Sequence, residues 1–567
     1  MANYENNTIE SFREINKPEN QSVESSSVRL PRKNYWWTQY KDNNENYKEA
    51  FKEAFICLFG YNPEMLDGNL GIAEKFNKDT NNKNNQSYWQ KFWFESSIKT
   101  YAYRKEGIYH IPITEFGGTG HGRYGRATHA ETRMAFDLFH SGRTSYFPTD
   151  IFMEVGDEVD ISVGNLDDPQ TVCFAATSSL YPYSIINKVE LIENQNTTYK
   201  ASQTGMLMLS CVNNKQDMQS WGKKIEITVF SKKTNKGKKI PIFIFGINTQ
   251  QEWVQGISQN SNPFNQVLLF NGLHRIYIPG DTLKGVSKQI HINQLLSEYL
   301  LIGTAYDMFN GFDGTNALDL PTQNLQIITF EKCGYSSYDL IAVCNDIETR
   351  KSKTLFVDWH EMGHQNTMGW SWGTEIEVIA NLYELIAERL IKGKGDWNKY
   401  DIYYYAPEYF DSKKYGTSRA WDPHSVVNFI NANVNLSDLE GGYDVMSSTT
   451  YDERDPQYHY NEKEKTWVLK RPQHIQNEFL RLQLFFQLLF TYGDDFYMKL
   501  GKAYREQWNY SEGWDTFNSN YKDKSWFVRT ACEITKTNLL AFFDAWGLNI
   551  SSEARKKIEY QGYPSPN

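Results

Sequence analysis

The chain has 567 residues, 40% of them hydrophobic and 23% charged, which is the composition of a folded globular protein. That length exceeds one hydrophobic core, so about three or four domains are expected. Its 59 Lys and Arg are outnumbered by 69 Asp and Glu for a net charge of -10, which argues against a nucleic-acid partner, because neutralising phosphates takes clustered basic side chains.

In chain order, residues 1–45 are rich in Asn, Glu and Ser and read as a polar N-terminal arm. The N-terminus shows no basic start followed by an apolar core, so no secretory signal is visible. No run of about eighteen apolar residues occurs, so no transmembrane segment is predicted. Residues 46–145 form a helical or mixed region, with helical patches at 46–60 and 87–105 and the polar stretch NKDTNNKNNQ between them.

The texture changes at 146–258. IFMEV, EVDISV, TVCFAAT, GMLMLSCV, KIEITVF and KIPIFIFG are short, rich in β-branched or aromatic residues, and separated by turn residues. That pattern predicts an antiparallel β-sandwich domain. SQNSNPFNQ, from Ser258, reads as a linker. A mixed domain follows at 259–473, and a helical subdomain is predicted over 474–567. The fold class is therefore multidomain α+β, and no internal repeat is seen.

Six cysteines are present and none forms a CxxC pair, so a thiolate zinc site is not expected. Cys333 and Cys344 flank one segment and are the candidate pair for a disulfide. Aromatic residues make up 15% of the chain, enough to fill large cores and to leave rings for a groove that takes sugars or extended peptides.

Two motifs carry possible chemistry. Gly120, Gly122 and Gly125 match GxGxxG, but no acidic residue follows in a parallel-sheet unit, and Arg123 and Arg126 lie beside them. A glycine-rich surface loop is the better reading. The second motif is HEMGH at 360–364. Residues four apart lie on one helix face, so His360 and His364 can direct two imidazoles at one metal ion, and imidazole suits zinc. Glu361 is beside them, placed to reach a water on that metal. The apolar TLFVDW ahead of the motif predicts a buried helix, and the turn MGWSWG permits a reversal into a second helix from about Thr374.

Two imidazoles and a water leave one ligand to find, and Glu375 and Glu377 are the candidates. Ile379, Leu382, Tyr383, Ile386 and Leu390 form a core stripe on the second helix. Glu377, Asn381, Glu384 and Glu388 form a polar one, which on the plainest reading is a solvated face. Thr374 to Glu377 also fits a capping box. The partner four residues on decides between the acids: from Glu377 it is Asn381, able to hydrogen-bond the free nitrogen of a ligating imidazole, and from Glu375 it is Ile379, which cannot. Glu377 is the expected third ligand.

HEMGH, the Trp-rich turn and EVIANLYEL together resemble the enhancin-like, mucin-degrading zinc metallopeptidases, a gluzincin-type family with HExxH and a downstream Glu. The resemblance implies His360, His364 and Glu377 as zinc ligands and Glu361 as catalytic acid/base. It extends to SYFPTDIFMEVGDEVDISV, which resembles the opening of the family's β-sandwich, to GLHRIYIP, which resembles the start of its zincin-like catalytic domain, and to the helical end, WFVRTACEITKTNLLAFFDAWGLNIS. Where a GG-containing turn is expected near 210–222, the chain reads CVNNKQDMQSWG, and 391–470 matches no family pattern. The family implies secreted or host-facing proteases, including virulence factors, that act on O-glycosylated, mucin-like proteins.

The expected activity is a zinc-dependent endopeptidase working through metal-activated water. His424, His459, His474, Tyr443 and Tyr451 are possible oxyanion donors that the sequence does not rank. The alternative is a glycan-binding adhesin that keeps the fold without turnover, although it has no need to retain Glu361. A structural zinc site usually closes with four protein ligands, and only three are evident.

Overall fold

The computed structural model of the chain describes residues 107–115, 143–178, 185–213, 223–231, 241–245, 248–258, 266–279, 292–312, 325–331, 335–336, 341–344, 354–366, 378–383, 386, 458–461, 466–469, 478–506 and 524–566. The arm at 1–45, the helical patches at 46–60 and 87–105, the glycine motif at 120–125 and Cys333 lie outside the described residues. The described residues fall in two compact units. One comprises those of Gln39–Met308 and Phe312–Asn366, and the other those of Phe309–Gly311 and Thr367–Asn567.

The first unit holds two sheets. The larger contains β1 (Ile108–Glu115), β3 (Phe147–Met153), β4 (Glu158–Val163), β5 (Thr171–Ser178), β6 (Ile185–Leu191), β7 (Asn196–Lys200), β8 (Gly205–Asn213) and β9 (Lys224–Ser231). Its order is β6-β5-β8-β1-β9-β4-β7, with β3 also on β8. β1 is shared between two halves: Ile108–Pro112 pairs antiparallel with β9, and Ile113–Glu115 runs parallel to β8. Side chains from both halves meet in one core, with Val159, Ile161 and Val163 from β4 facing Leu207, Leu209 and Cys211 from β8. This is a sandwich built by a strand that changes sheets. β4 shows the alternation that two-faced strands require, Val159, Ile161 and Val163 inward and Glu158, Asp160 and Ser162 partly open.

β8 breaks that alternation because all nine of its residues are buried. Its odd-numbered side chains enter the sandwich core, while Met206 and Met208 join a second cluster with Tyr146, Leu268 and Tyr277. Gly205 opens the strand where any side chain would collide with the carbonyl of Ser178. Cys173 and Cys211 are buried and directly opposite on β5 and β8, with their sulfurs 2.7 Å apart.

The second sheet contains β2 (Arg143–Thr144), β10 (Ile242–Ile244), β11 (Gln266–Phe270), β12 (His274–Pro279), β13 (Leu325–Glu331), β14 (Tyr335–Ser336) and β15 (Ile341–Cys344), ordered β10-β11-β12-β13-β15-β14, with β2 on β13. β10, from within the KIPIFIFG segment, pairs here with β11 rather than in the larger sheet. Helix α1 (Gln250–Ser258) follows β10, and residues 259–265 of the expected linker are not described. β12 and β13 are parallel, so the chain must cross over between them, and it does so through α2 (Ile292–Phe309). α3 (Thr354–Asn366) packs on β15 and β14.

The second unit is mainly helical: a helical stretch at 378–383, then α4 (Glu478–Tyr492), α5 (Asp494–Glu506), α6 (Lys524–Thr535), α7 (Leu540–Ala545) and α8 (Ser552–Tyr560). A strand pair, β16 (Tyr458–Asn461) with β17 (Thr466–Leu469), precedes them. Phe309 meets Tyr383 edge-on and Tyr497 at a tilt, at 5.3 and 4.8 Å between ring centroids. The Tyr497 hydroxyl donates to the Phe485 carbonyl at 2.6 Å. Burial holds Tyr497 well above the usual phenol range, with Tyr383 adding to the shift, so it acts as a neutral donor. Among the described residues no helix is long and apolar enough to cross a membrane.

Candidate metal centre

α3 reads TLFVDWHEMGHQN and forms one helix from Thr354 to Asn366. At about 100° per residue, Trp359, Met362, Gly363 and Asn366 share one face, and His360 and His364 share its flank. Trp359 and Met362 are fully buried. Asn366 Nδ2 donates to the Met362 carbonyl at 2.7 Å, a side-chain bond back onto the last turn of the helix.

His360 and His364 are buried at 5% and 6% exposure, so neither imidazole is an ordinary surface residue. Their ring centroids are 4.6 Å apart and the planes perpendicular. The i, i+4 spacing puts the two imidazoles one turn apart on the same flank of the helix. His364 also lies in the last turn, where the helix dipole favours positive charge. Glu361, next to them, is only half-buried and so remains within reach of water.

The donor set fits zinc. Neutral imidazole ligates without losing a proton, so burial does not oppose coordination as it opposes thiolate formation. Among the described residues no group of three His, Cys, Asp or Glu is placed to hold a metal ion, and both candidates for the third ligand, Glu375 and Glu377, lie outside them. Asn381 is described, within the second unit, and is fully buried with Val378, Ile379, Ala380, Leu382 and Tyr383, so a solvated face does not describe its position. The Tyr383 hydroxyl donates to Asn310 Oδ1. Of the possible oxyanion donors, His459 lies on β16, and His424, His474, Tyr443 and Tyr451 are outside the described residues.

One contact at the centre was not read from the sequence. The Tyr306 hydroxyl, on α2, donates to the backbone carbonyl of Trp359 at 2.9 Å. The available signal was the helix itself. INQLLSEYLLIGTAYDMF is apolar on every side, which predicts full burial, and a phenol inside such a helix must find a partner.

The sequence profile of peptidase M60, enhancin and enhancin-like, matches residues 236–547, a span that includes His360, Glu361, His364, Glu377 and Asn381. No match was found among curated proteins. Among solved structures, a functionally unknown conserved protein (a mutant form) from Bacillus anthracis has a TM-score of 0.55 at 19% identity, over 81% of this chain and 79% of that one. A metallopeptidase in complex with Tn antigen has a TM-score of 0.53 at 16% identity, over 81% and 78%. A Clostridium perfringens ZmpB structure with two CBM32 domains and an M60 catalytic domain has a TM-score of 0.50 at 14% identity, over 82% of this chain and 43% of that one. At these identities the likeness is one of fold.

Proposed function

The chain belongs to the peptidase M60 family, the enhancin and enhancin-like proteins, and from that premise we propose that it is a zinc-dependent endopeptidase cutting O-glycosylated, mucin-like proteins. The observation that carries the reading is the buried, perpendicular His360–His364 pair with Glu361 beside it on α3.

His360 and His364 would hold the metal through ring nitrogens, and Glu377 would complete the ligand set, as the HExxH and downstream Glu-xxx-Asn spacing suggests. Asn381, four residues beyond Glu377, would be the residue to support a ligating imidazole through its other nitrogen. A zinc ion there supplies Lewis acidity toward water and toward a scissile carbonyl. Glu361 takes the proton from the attacking water and delivers it to the leaving amine, a role suited to a carboxylate that solvent still reaches. Three protein ligands would be fewer than the four with which a structural zinc site usually closes.

The substrate class rests on the family and on a neighbour of the same fold solved with Tn antigen. It carries with it an extracellular or host-facing place of action. The test is incubation with an O-glycoprotein and with its deglycosylated form, followed by mass spectrometry of the fragments. Cleavage beside glycosylated Ser or Thr, falling when the sugars are removed, is the expected result. Equal cutting of the bare polypeptide would mean that the sugars are not read, and zinc with glycoprotein affinity but no cleavage would favour an adhesin.

A further inference from the structure

We propose that Tyr306 is a positioning residue for the metal centre, setting the turn of α3 that carries both imidazoles. The inference rests on the metal reading of His360 and His364.

The bond from the Tyr306 hydroxyl to the Trp359 carbonyl joins two buried residues 53 positions apart in sequence. In an α-helix the carbonyl of residue 359 already faces the N–H of residue 363. The phenol therefore adds a second donor to a carbonyl that the helix can satisfy alone, and α3 does not need it to be a helix. Its location gives it a use. The carbonyl of Trp359 lies along the helix axis between His360 and His364, so a tether there fixes the height and rotation of the turn from which both rings project.

A tether positions only if its far end is held. α2 is the crossover between β12 and β13, buried along nearly its whole length. Three hydrogen bonds pin its first turns to neighbouring elements: Asn293 Nδ2 to the Asn248 carbonyl at 3.0 Å, the Ile292 amide to Gln250 Oε1 at 2.8 Å, and Asn271 Nδ2 to the Leu296 carbonyl at 3.0 Å. Tyr306 stands near the other end, more than two turns beyond Leu296. α3 packs on β15 and β14. Crossover helix and metal helix are thus tied through one buried phenol, within a single compact unit.

The plain alternative is that Trp359 merely offers a buried hydroxyl somewhere to donate, with no consequence for the metal. Tyr497 supplies the control. Its hydroxyl makes the same kind of bond, to the Phe485 carbonyl of α4 at 2.6 Å, in the other unit. Tyr306→Phe and Tyr497→Phe each remove one oxygen and keep the ring and its packing.

The measurement is zinc affinity of the apoprotein by competition with a chromophoric chelator, together with the visible spectrum of the cobalt(II) form and thermal melting, on wild type and both variants. The expected result is similar modest destabilisation in both variants. Zinc affinity should fall about 10–100-fold, with an altered cobalt spectrum, in Tyr306→Phe alone, the range seen when support behind a ligand is removed. Wild-type affinity and spectrum in Tyr306→Phe, or equal losses in the two variants, would overturn the positioning role while leaving the metal reading intact. A wild type that binds neither zinc nor cobalt would overturn both.

Discussion

Among the described residues of the first unit, two buried pairs of metal-capable side chains differ in what they offer a metal. Cys173 and Cys211 face each other across β5 and β8, their sulfurs 2.7 Å apart, among Val159, Ile161, Leu207 and Leu209. His360 and His364 sit on one flank of α3, their rings 4.6 Å apart. Proximity and burial do not tell them apart. The form of the donor does. Burial pushes the Cys211 thiol well above its usual range, and the neighbouring Cys173 adds to the shift, so the thiolate that binds metal is suppressed. A neutral imidazole pays no such penalty, and Glu361 follows His360 on the same helix, whereas the cysteines belong to the hydrophobic core of the sandwich.

The sharpest way to break this contrast is at Glu361. Glu361→Gln keeps the size of the side chain and removes its basicity. Zinc content and melting temperature should stay at wild-type values while turnover falls by at least about 10²–10⁴-fold, the usual contribution of a positioned acid/base. Cys173→Ala should turn over substrate at the wild-type rate. Full turnover in Glu361→Gln would remove Glu361 as the base.

Next in size is the third ligand, where the chain offers an internal control. Thr249 and Glu252 form a reciprocal capping box at the start of α1: the Glu252 amide donates to Thr249 Oγ1 at 3.0 Å, and the Thr249 amide donates to Glu252 Oε2 at 2.7 Å. Thr374 and Glu377 repeat the Thr-x-x-Glu spacing. If Glu377 is a ligand, Glu377→Ala loses metal affinity while Glu375→Ala and Glu252→Ala keep it, Glu252→Ala costing only about 1 kcal/mol of stability. Metal titration of the three variants decides the matter. Retained affinity in Glu377→Ala with loss in Glu375→Ala would make the second Thr-x-x-Glu a cap like the first.

The smallest effect belongs to the thiols. Cys173→Ala or Cys211→Ala deletes a buried sulfur from the sandwich core and should cost about 0.5–3 kcal/mol in denaturant unfolding. Zinc stoichiometry should not change, and a thiol variant that lost zinc would undo the contrast between the pairs.

The same physics explains what could be read from the sequence. EVDISV is legible because β4 has one face in the core and one toward water. HEMGH is legible because a helix places i and i+4 together whatever surrounds it. β6 was missed: Ile186, Lys188 and Glu190 point outward from an edge strand, and Asn187 sits at a positive φ of 56°, so neither composition nor register signals a strand. β1 carries Pro112 where its pairing passes from β9 to β8, a residue that cannot donate to a ladder and so reads as a break. α1 was legible in principle, since Thr-x-x-Glu marks its start. The Tyr306 bond joins elements distant in sequence, and no local pattern encodes it.

The central claim is that His360 and His364 hold a catalytic zinc, and elemental analysis of the purified protein tests it most directly. One zinc per wild-type chain is predicted, with loss in His360→Ala and in His364→Ala at unchanged fold. A wild type without zinc under metal-replete conditions, or stoichiometric zinc in the double variant, would contradict it.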